Sequence, residues 1–203
     1  QESAGANGLL GGSSITDADN YPHRAGQTGT KAITIPRDTT GGPREGAARA
    51  LRVQKMQQQL DKKLQASPAL RRLSRQVRMV DTTEGIRIDL VDDADFSMFR
   101  LGTTILTGDA GELLQAIAMT VGGDGSGLTI RGHTDALPWR PGVAANNWSL
   151  SAGRAEATRQ ALMRHGIAES RFRRIEGVAD RELLVRDNPA DPRNRRISIV
   201  LMR

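Results

Sequence analysis

Three blocks in the second half of the chain combine residue types and spacings that could do chemistry. They are Gly132-His133-Thr134-Asp135, then Asn147-Trp148-Ser149-Leu150-Ser151-Ala152-Gly153-Arg154-Ala155, and finally Asn194-Arg195-Arg196. His133 and Asp135, two residues apart, could hold a metal or form an acid–base pair. A catalytic zinc normally takes three protein ligands, and the other histidines lie elsewhere, His23 in a glycine-rich stretch and His165 at the end of a predicted helix. The chain has no cysteine, which removes disulfides, thiolate nucleophiles and thiolate metal sites together. It also lacks the Gly-x-Ser-x-Gly turn of a serine hydrolase. Taken singly, an aspartate just after a strand is usually a turn or cap residue, and an arginine on a helix is usually solvated. Binding by charged side chains is the chemistry these blocks can support in combination.

Strands alternating with helices must position them. Ile86, Ile88 and Leu90 alternate with Arg87 and Asp89, which predicts a half-buried strand entered by a turn at Glu84-Gly85. Thr107 opens a helix carrying Leu113, Leu114, Ile117 and Val121, and Gly122-Gly123-Asp124-Gly125 ends it. Leu128-Thr129-Ile130 reads as a short strand, followed by a proline-containing loop from Ala136 to Asn146. A helix from about Ser149 to His165 is closed by Gly166, and Arg174-Ile175-Glu176 is a third strand. Ile197-Ser198-Ile199-Val200-Leu201 is a fourth, apolar enough to be covered on both faces. The order β-α-β-α-β-β predicts an α/β two-layer sandwich with two helices on one sheet.

The rest of the chain differs in kind. Residues 1–46 hold nine of the 22 glycines, with Pro22, Pro36 and Pro43 and no hydrophobic periodicity, so they read as a flexible linker. In residues 47–77, Val53, Met56, Leu60 and Leu64 share one helical face, and Ser67-Pro68 starts a second helical stretch with Leu70, Leu73 and Val77 in step. Such a stripe could pack on its own domain or pair two subunits. Four apolar residues are enough to dock a helix and few enough to release it. The net charge of +6 is concentrated in this segment, which carries eight Lys/Arg against one Asp/Glu, whereas residues 78–203 carry 17 of each. A solvated helix face and contact with anionic headgroups both fit this, and nucleic acid fits poorly because no aromatic stacking partners are interleaved. No run of ~18 apolar residues occurs to span a membrane. The first residue is Gln1, so any targeting or anchoring segment is expected upstream.

The three blocks, in this order, resemble the peptidoglycan-binding domain of the OmpA-like family. That pattern is a Gly-x-Thr-Asp strand end, an Asn-x-x-Leu-Ser-x-x-Arg-Ala helix start and a late Asn-Arg-Arg, and the match covers residues 78–203. Several features are nearest to the flagellar-motor stator branch of that family. They are the long loop between Asp135 and Asn147, the wording Asn147-Trp148-Ser149-Leu150-Ser151, the stretch Ser67-Pro68-Ala69-Leu70-Arg71 running into Ile86-Arg87-Ile88, and Met98-Phe99 before Gly102. The alternative is another OmpA-like wall binder, such as an envelope lipoprotein or the tail of an outer-membrane porin.

The resemblance implies a non-covalent wall anchor rather than an enzyme, with no cofactor or metal. Its ligand would be the diaminopimelate stem peptide, whose free end carries an ammonium beside a carboxylate. Asp135 would take the ammonium and Arg154 the carboxylate, since a planar guanidinium meets a carboxylate in two parallel bonds. Arg154 is expected in the first turn of its helix, where free backbone N–H groups also favour an anion. Thr134 completes the strand-end motif, Asn147 clamps the loop and touches ligand, and Asn194 with Arg195 closes the site. Arg196 suits a structural salt bridge as well as a ligand contact. His133 is expected to be a satisfied structural histidine, Trp148 a packing residue, and Trp139 a rim or ligand contact. Partners implied are peptidoglycan, a second copy of the chain, and a channel-forming subunit met through a membrane segment upstream of Gln1. That places the chain in the periplasm, tied to the inner membrane.

Overall fold

The computed structural model describes residues 43–142 and 145–203. The linker reading of residues 1–46 therefore falls almost wholly outside the described residues. Helix α1 spans Pro43–Leu64 and α2 spans Pro68–Leu73, with the Ser67 hydroxyl accepting from the Leu70 N–H as its N-cap. Strand β1 (Val77–Asp81) pairs antiparallel with β2 (Gly85–Val91). Then come α3 (Gly108–Val121), β3 (Leu128–His133), α4 (Asn147–Arg164), β4 (Phe172–Gly177) and β5 (Arg196–Met202). The order from β2 onward is the expected β-α-β-α-β-β. The sheet runs β1-β2-β5-β3-β4; β5 is antiparallel to both its neighbours, and β3 is parallel to β4.

Two expectations need correction. The sequence predicts four strands, and the sheet has five. Val77, in step with Leu70 and Leu73, suggests a continued helix, but Val77–Asp81 pairs residue for residue with Leu90–Ile86 and forms an edge strand. Backbone pairing supplied by β2 outweighs a local helical spacing. Helix α1 also begins at Pro43 and not at 47, with proline at the first helical position, where its missing N–H costs nothing.

One core unites these elements. Ile86, Ile88, Leu90, Leu128, Ile130, Ile197, Ile199 and Leu201 of the sheet meet Leu113, Leu114, Ile117 and Val121 of α3 and Leu162 of α4. Met56, Leu60 and Leu64 of α1 belong to the same core, with Val53 half-buried beside them, so the stripe packs on its own domain. Much of the basic charge in this segment is used internally. Arg49 pairs with Asp81 at the end of β1, Arg52 grips Asp124 with Nε and Nη2 both at 2.9 Å, and Arg72 pairs with Asp109. We expect Leu60→Ala to lower the unfolding free energy of the domain by about 2–5 kcal/mol, read from urea denaturation. A change under about 1 kcal/mol would show that α1 is dispensable to the fold.

Candidate functional site

Topology gathers three strand ends. Because β2 and β3 both run antiparallel to β5 between them, their C-terminal ends and the N-terminal end of β5 share one edge of the sheet. Asp92 follows β2, Thr134 and Asp135 follow β3, and Arg195 precedes β5. Helix α4 can lie close over this edge because Gly132 and Gly177 face it side by side across β3 and β4. A Cβ on Gly132 would sit 2.1 Å from the Ser151 carbonyl oxygen, and one on Gly177 would sit 2.4 Å from the Ala152 nitrogen. The helix is fixed at its start by Asn146, whose side chain accepts from the Ser149 N–H while the Ser149 hydroxyl accepts from the Asn146 N–H.

The result is a cavity of about 330 Å³ whose wall includes Thr134, Asp135, Trp139, Asn147, Arg154 and Arg195. Five of the six expected site residues therefore meet. Arg195 donates from Nη1 to Asp135 Oδ2 at 2.9 Å and from Nε to Asp92 Oδ2 at 3.1 Å. Asn147 is a clamp: its Nδ2 donates to the Asp135 carbonyl at 3.2 Å, and its Oδ1 accepts from the Trp139 indole at 2.7 Å. The Thr134 hydroxyl is buried in the wall with no hydrogen-bond partner among the described residues. Arg154 is 4% exposed, stacks over the Phe99 ring at 5.0 Å and donates from Nε to the Thr103 carbonyl at 2.9 Å. Its terminal nitrogens have no partner among the described residues. Burial lowers its pKa and Asp92 works against this, but a guanidinium remains charged.

Several expectations are revised. Helix α4 starts at Asn147, so Arg154 stands about two turns in, beyond the free N–H groups of the first turn. Asn194 does not reach the cavity. It is fully buried, and its amide ties down the 185–189 loop through the Val185 N–H and the carbonyls of Val185, Asn188 and Pro189. Trp148 is half exposed, with the Arg181 guanidinium 5.7 Å over its ring, and is not a packing residue. Trp139 lines the cavity as a wall residue. Arg196 makes no ion pair among the described residues; it donates to the Glu182 carbonyl at 2.6 Å. Sequence reasoning missed Asp92, Phe99 and Thr103. The signal available for Asp92 was a carboxylate ending an apolar strand shortly before Met98-Phe99. A larger groove, of about 890 Å³, runs between α1 and α3 past Lys62, Lys63, Glu112 and Met119, but none of the three motif blocks reaches it.

His133 is structural but not fully satisfied. The Ser198 hydroxyl donates to Asp89 Oδ1 at 2.6 Å, so the contact of 3.3 Å between Ser198 and His133 Nε2 needs the proton on Nε2. That leaves Nδ1 as a buried acceptor without a hydrogen bond. Burial, with the cations of Arg196, Arg131 and Arg87, pushes the His133 pKa down to about 2. In an unfolded chain it titrates near ~6.5. Below that pH the unfolded state takes up a proton that the native state refuses. The contribution is whole above about pH 6.5 and is lost as pH falls toward the native value, at about 1.4 kcal/mol per pH unit. We expect the urea midpoint to fall between pH 7 and pH 5, and His133→Asn to flatten that slope.

Comparison with known proteins agrees with this fold. Residues 98–196 match the sequence model of the OmpA family. The chain is homologous to Motility protein B of Escherichia coli K12, with 34% identity over 152 residues, 74% of this chain and 49% of that protein. It thus spans about half the length of the curated relative it matches. Among solved structures, the periplasmic domain of Helicobacter pylori MotB superposes with a TM-score of 0.54 at 16% identity, covering 64% of this chain and 83% of that one. A MotB-like protein of Desulfovibrio vulgaris gives 0.59 at 18% identity, covering 77% and 99%. The cell wall anchor of the type VI secretion system of Pseudomonas aeruginosa gives 0.54 at 23% identity, covering 64% and 90%; at these identities the likeness is one of fold.

Proposed function

We propose that this chain is the wall-binding part of a flagellar-motor stator subunit, and that its cavity holds the diaminopimelate end of a peptidoglycan stem peptide. The observation that carries the reading is Arg154, a buried cation without a carboxylate partner among the described residues, in one cavity with Asp135 and the Thr134 hydroxyl, which likewise has no partner among them. A buried charge is normally paired, so Arg154 fits a site whose counter-ion is the ligand. The diaminopimelate carboxylate would take its two free nitrogens side by side, while the neighbouring ammonium faces Asp135. Homology to Motility protein B supports the stator role. In that role the domain works in the periplasm as a homodimer. It is tied to the inner membrane by a segment upstream of Gln1 and pairs there with MotA, so that torque is transmitted to a fixed wall.

Co-sedimentation tests this. The protein should pellet with sacculi containing diaminopimelate, and soluble tripeptide ending in diaminopimelate should release it. Sacculi carrying lysine in that position lack the carboxylate and should retain much less. Equal retention on both would overturn the diaminopimelate assignment, and no retention of folded protein would overturn wall binding.

A further inference from the structure

The carboxylates and arginines at the strand ends do not pair one to one. Arg195 stands between Asp92 and Asp135, while Arg154 has no ion-pair partner among the described residues. Asp92, Arg195 and Asp135 together carry one net negative charge, and Arg154 carries one positive. Without Asp92, Arg195 and Asp135 would cancel and the cavity would be left a simple cation.

We propose that Asp92, which does not line the cavity, is a specificity-determining positioning residue. By sharing Arg195 with Asp135 it leaves the negative charge of Asp135 only partly compensated, fitting the cavity to a zwitterionic end group in place of a plain anion. This rests on the reading of the cavity as the seat of the diaminopimelate end. Asp92 is 3% exposed, and its other bonds are to residues outside the cavity wall: Oδ2 accepts from the Ser97 hydroxyl at 2.7 Å and Oδ1 from the Met98 N–H at 2.9 Å. Those two bonds fix the turn that carries Phe99 beneath Arg154. Asp92 thus sets both arginines, one directly and one through the turn. Burial is the largest influence on its carboxyl and raises its pKa above the ordinary aspartate value, against the opposing pull of the Met98 N–H, the Ser97 hydroxyl and then Arg195.

The test uses the full chain and the Trp139 indole N–H resonance, which reports from the cavity wall. The probes are a tripeptide ending in meso-diaminopimelate, the same peptide acetylated on the free amine, and sulfate. Wild type should prefer the free amine to the acetylated form by roughly tenfold, the scale of losing one charged contact. Asp92→Asn should erase or invert that preference and bind sulfate several-fold more tightly than wild type. Asp92→Glu should restore the preference. If Asp92→Asn does not fold, Asp92→Ser keeps an acceptor for the Met98 N–H without the charge and carries the same expectations. A merely structural role would weaken both peptides alike and leave the ratio intact; that result, with unchanged sulfate binding in a folded variant, would overturn the proposal. If wild type binds neither peptide while Asp92→Asn still gains sulfate, the charge role of Asp92 stands and the diaminopimelate reading fails.

Discussion

Arg154→Ala is expected to weaken binding to diaminopimelate-containing sacculi by roughly 30-fold to several thousandfold, and to leave a folded domain. Removing one partner of a desolvated charge pair costs about 2–5 kcal/mol, and about 1.4 kcal/mol is a factor of ten. Among the described residues Arg154 makes one side-chain hydrogen bond, from Nε to Thr103, and stacks on Phe99, so folding loses far less than binding. Arg154→Lys separates charge from geometry. It keeps the cation but forfeits the planar fork and the Thr103 bond, so it should recover only a small part of the loss. The measurement is a binding series on sacculi beside a thermal melt of each variant. A folded Arg154→Ala protein that binds as wild type does would remove this residue from the site.

The second large effect falls on folding. Gly132→Ala puts a methyl group 2.1 Å from the Ser151 carbonyl oxygen, backbone against backbone, with no side-chain end that could swing away. Overpacking ordinarily costs about 1–3 kcal/mol. Here either α4 must lift from β3 or the sheet must bend, and we expect at least the top of that range or failure to fold. Gly177→Ala should behave alike, because its new methyl would meet the Ala152 backbone. Gly111→Ala is the contrasting case: it lies within α3 with nothing within 4 Å of an added Cβ, and should stabilise by up to about 1 kcal/mol. Urea denaturation of the three variants ranks them. Gly132→Ala with wild-type stability would mean that α4 does not sit where described.

The contrast between Asp135 and Asn194 shows how much of the site was legible. The β2 to β5 alternation rests on apolar spacing, which each segment carries by itself, so the sandwich could be read directly. Asp135 and Arg154 could be singled out because local motifs mark a strand end and a helix start. Asn194 carries the same kind of motif signal, but whether an asparagine amide faces a ligand or three loop carbonyls depends on where the 185–189 loop returns. Asp92 was invisible for a related reason. Its partner Arg195 is 103 residues away, and the contact exists only because β2 and β5 are neighbours in the sheet. Strand β1 was missed because Val77 and Met79 support a helix or a strand equally, and pairing with β2 decides.

The placement of α1 has a mechanical consequence. Arg49, in the second turn of α1, reaches Asp81 and Thr82 at the strand ends opposite the cavity, since Asp81 pairs with Ile86 at the beginning of β2 while Asp92 follows its end. In the role proposed here, tension enters at Pro43 and leaves through the ligand. It then passes through α1, a helix of 22 residues and about 33 Å, into the sheet. The α1 side chains in the core and the ladder hydrogen bonds between β2 and β5 both lie between those two points. The grip and the Arg49 contacts of α1 lie at opposite ends of the strands, an arrangement suited to bearing a pull.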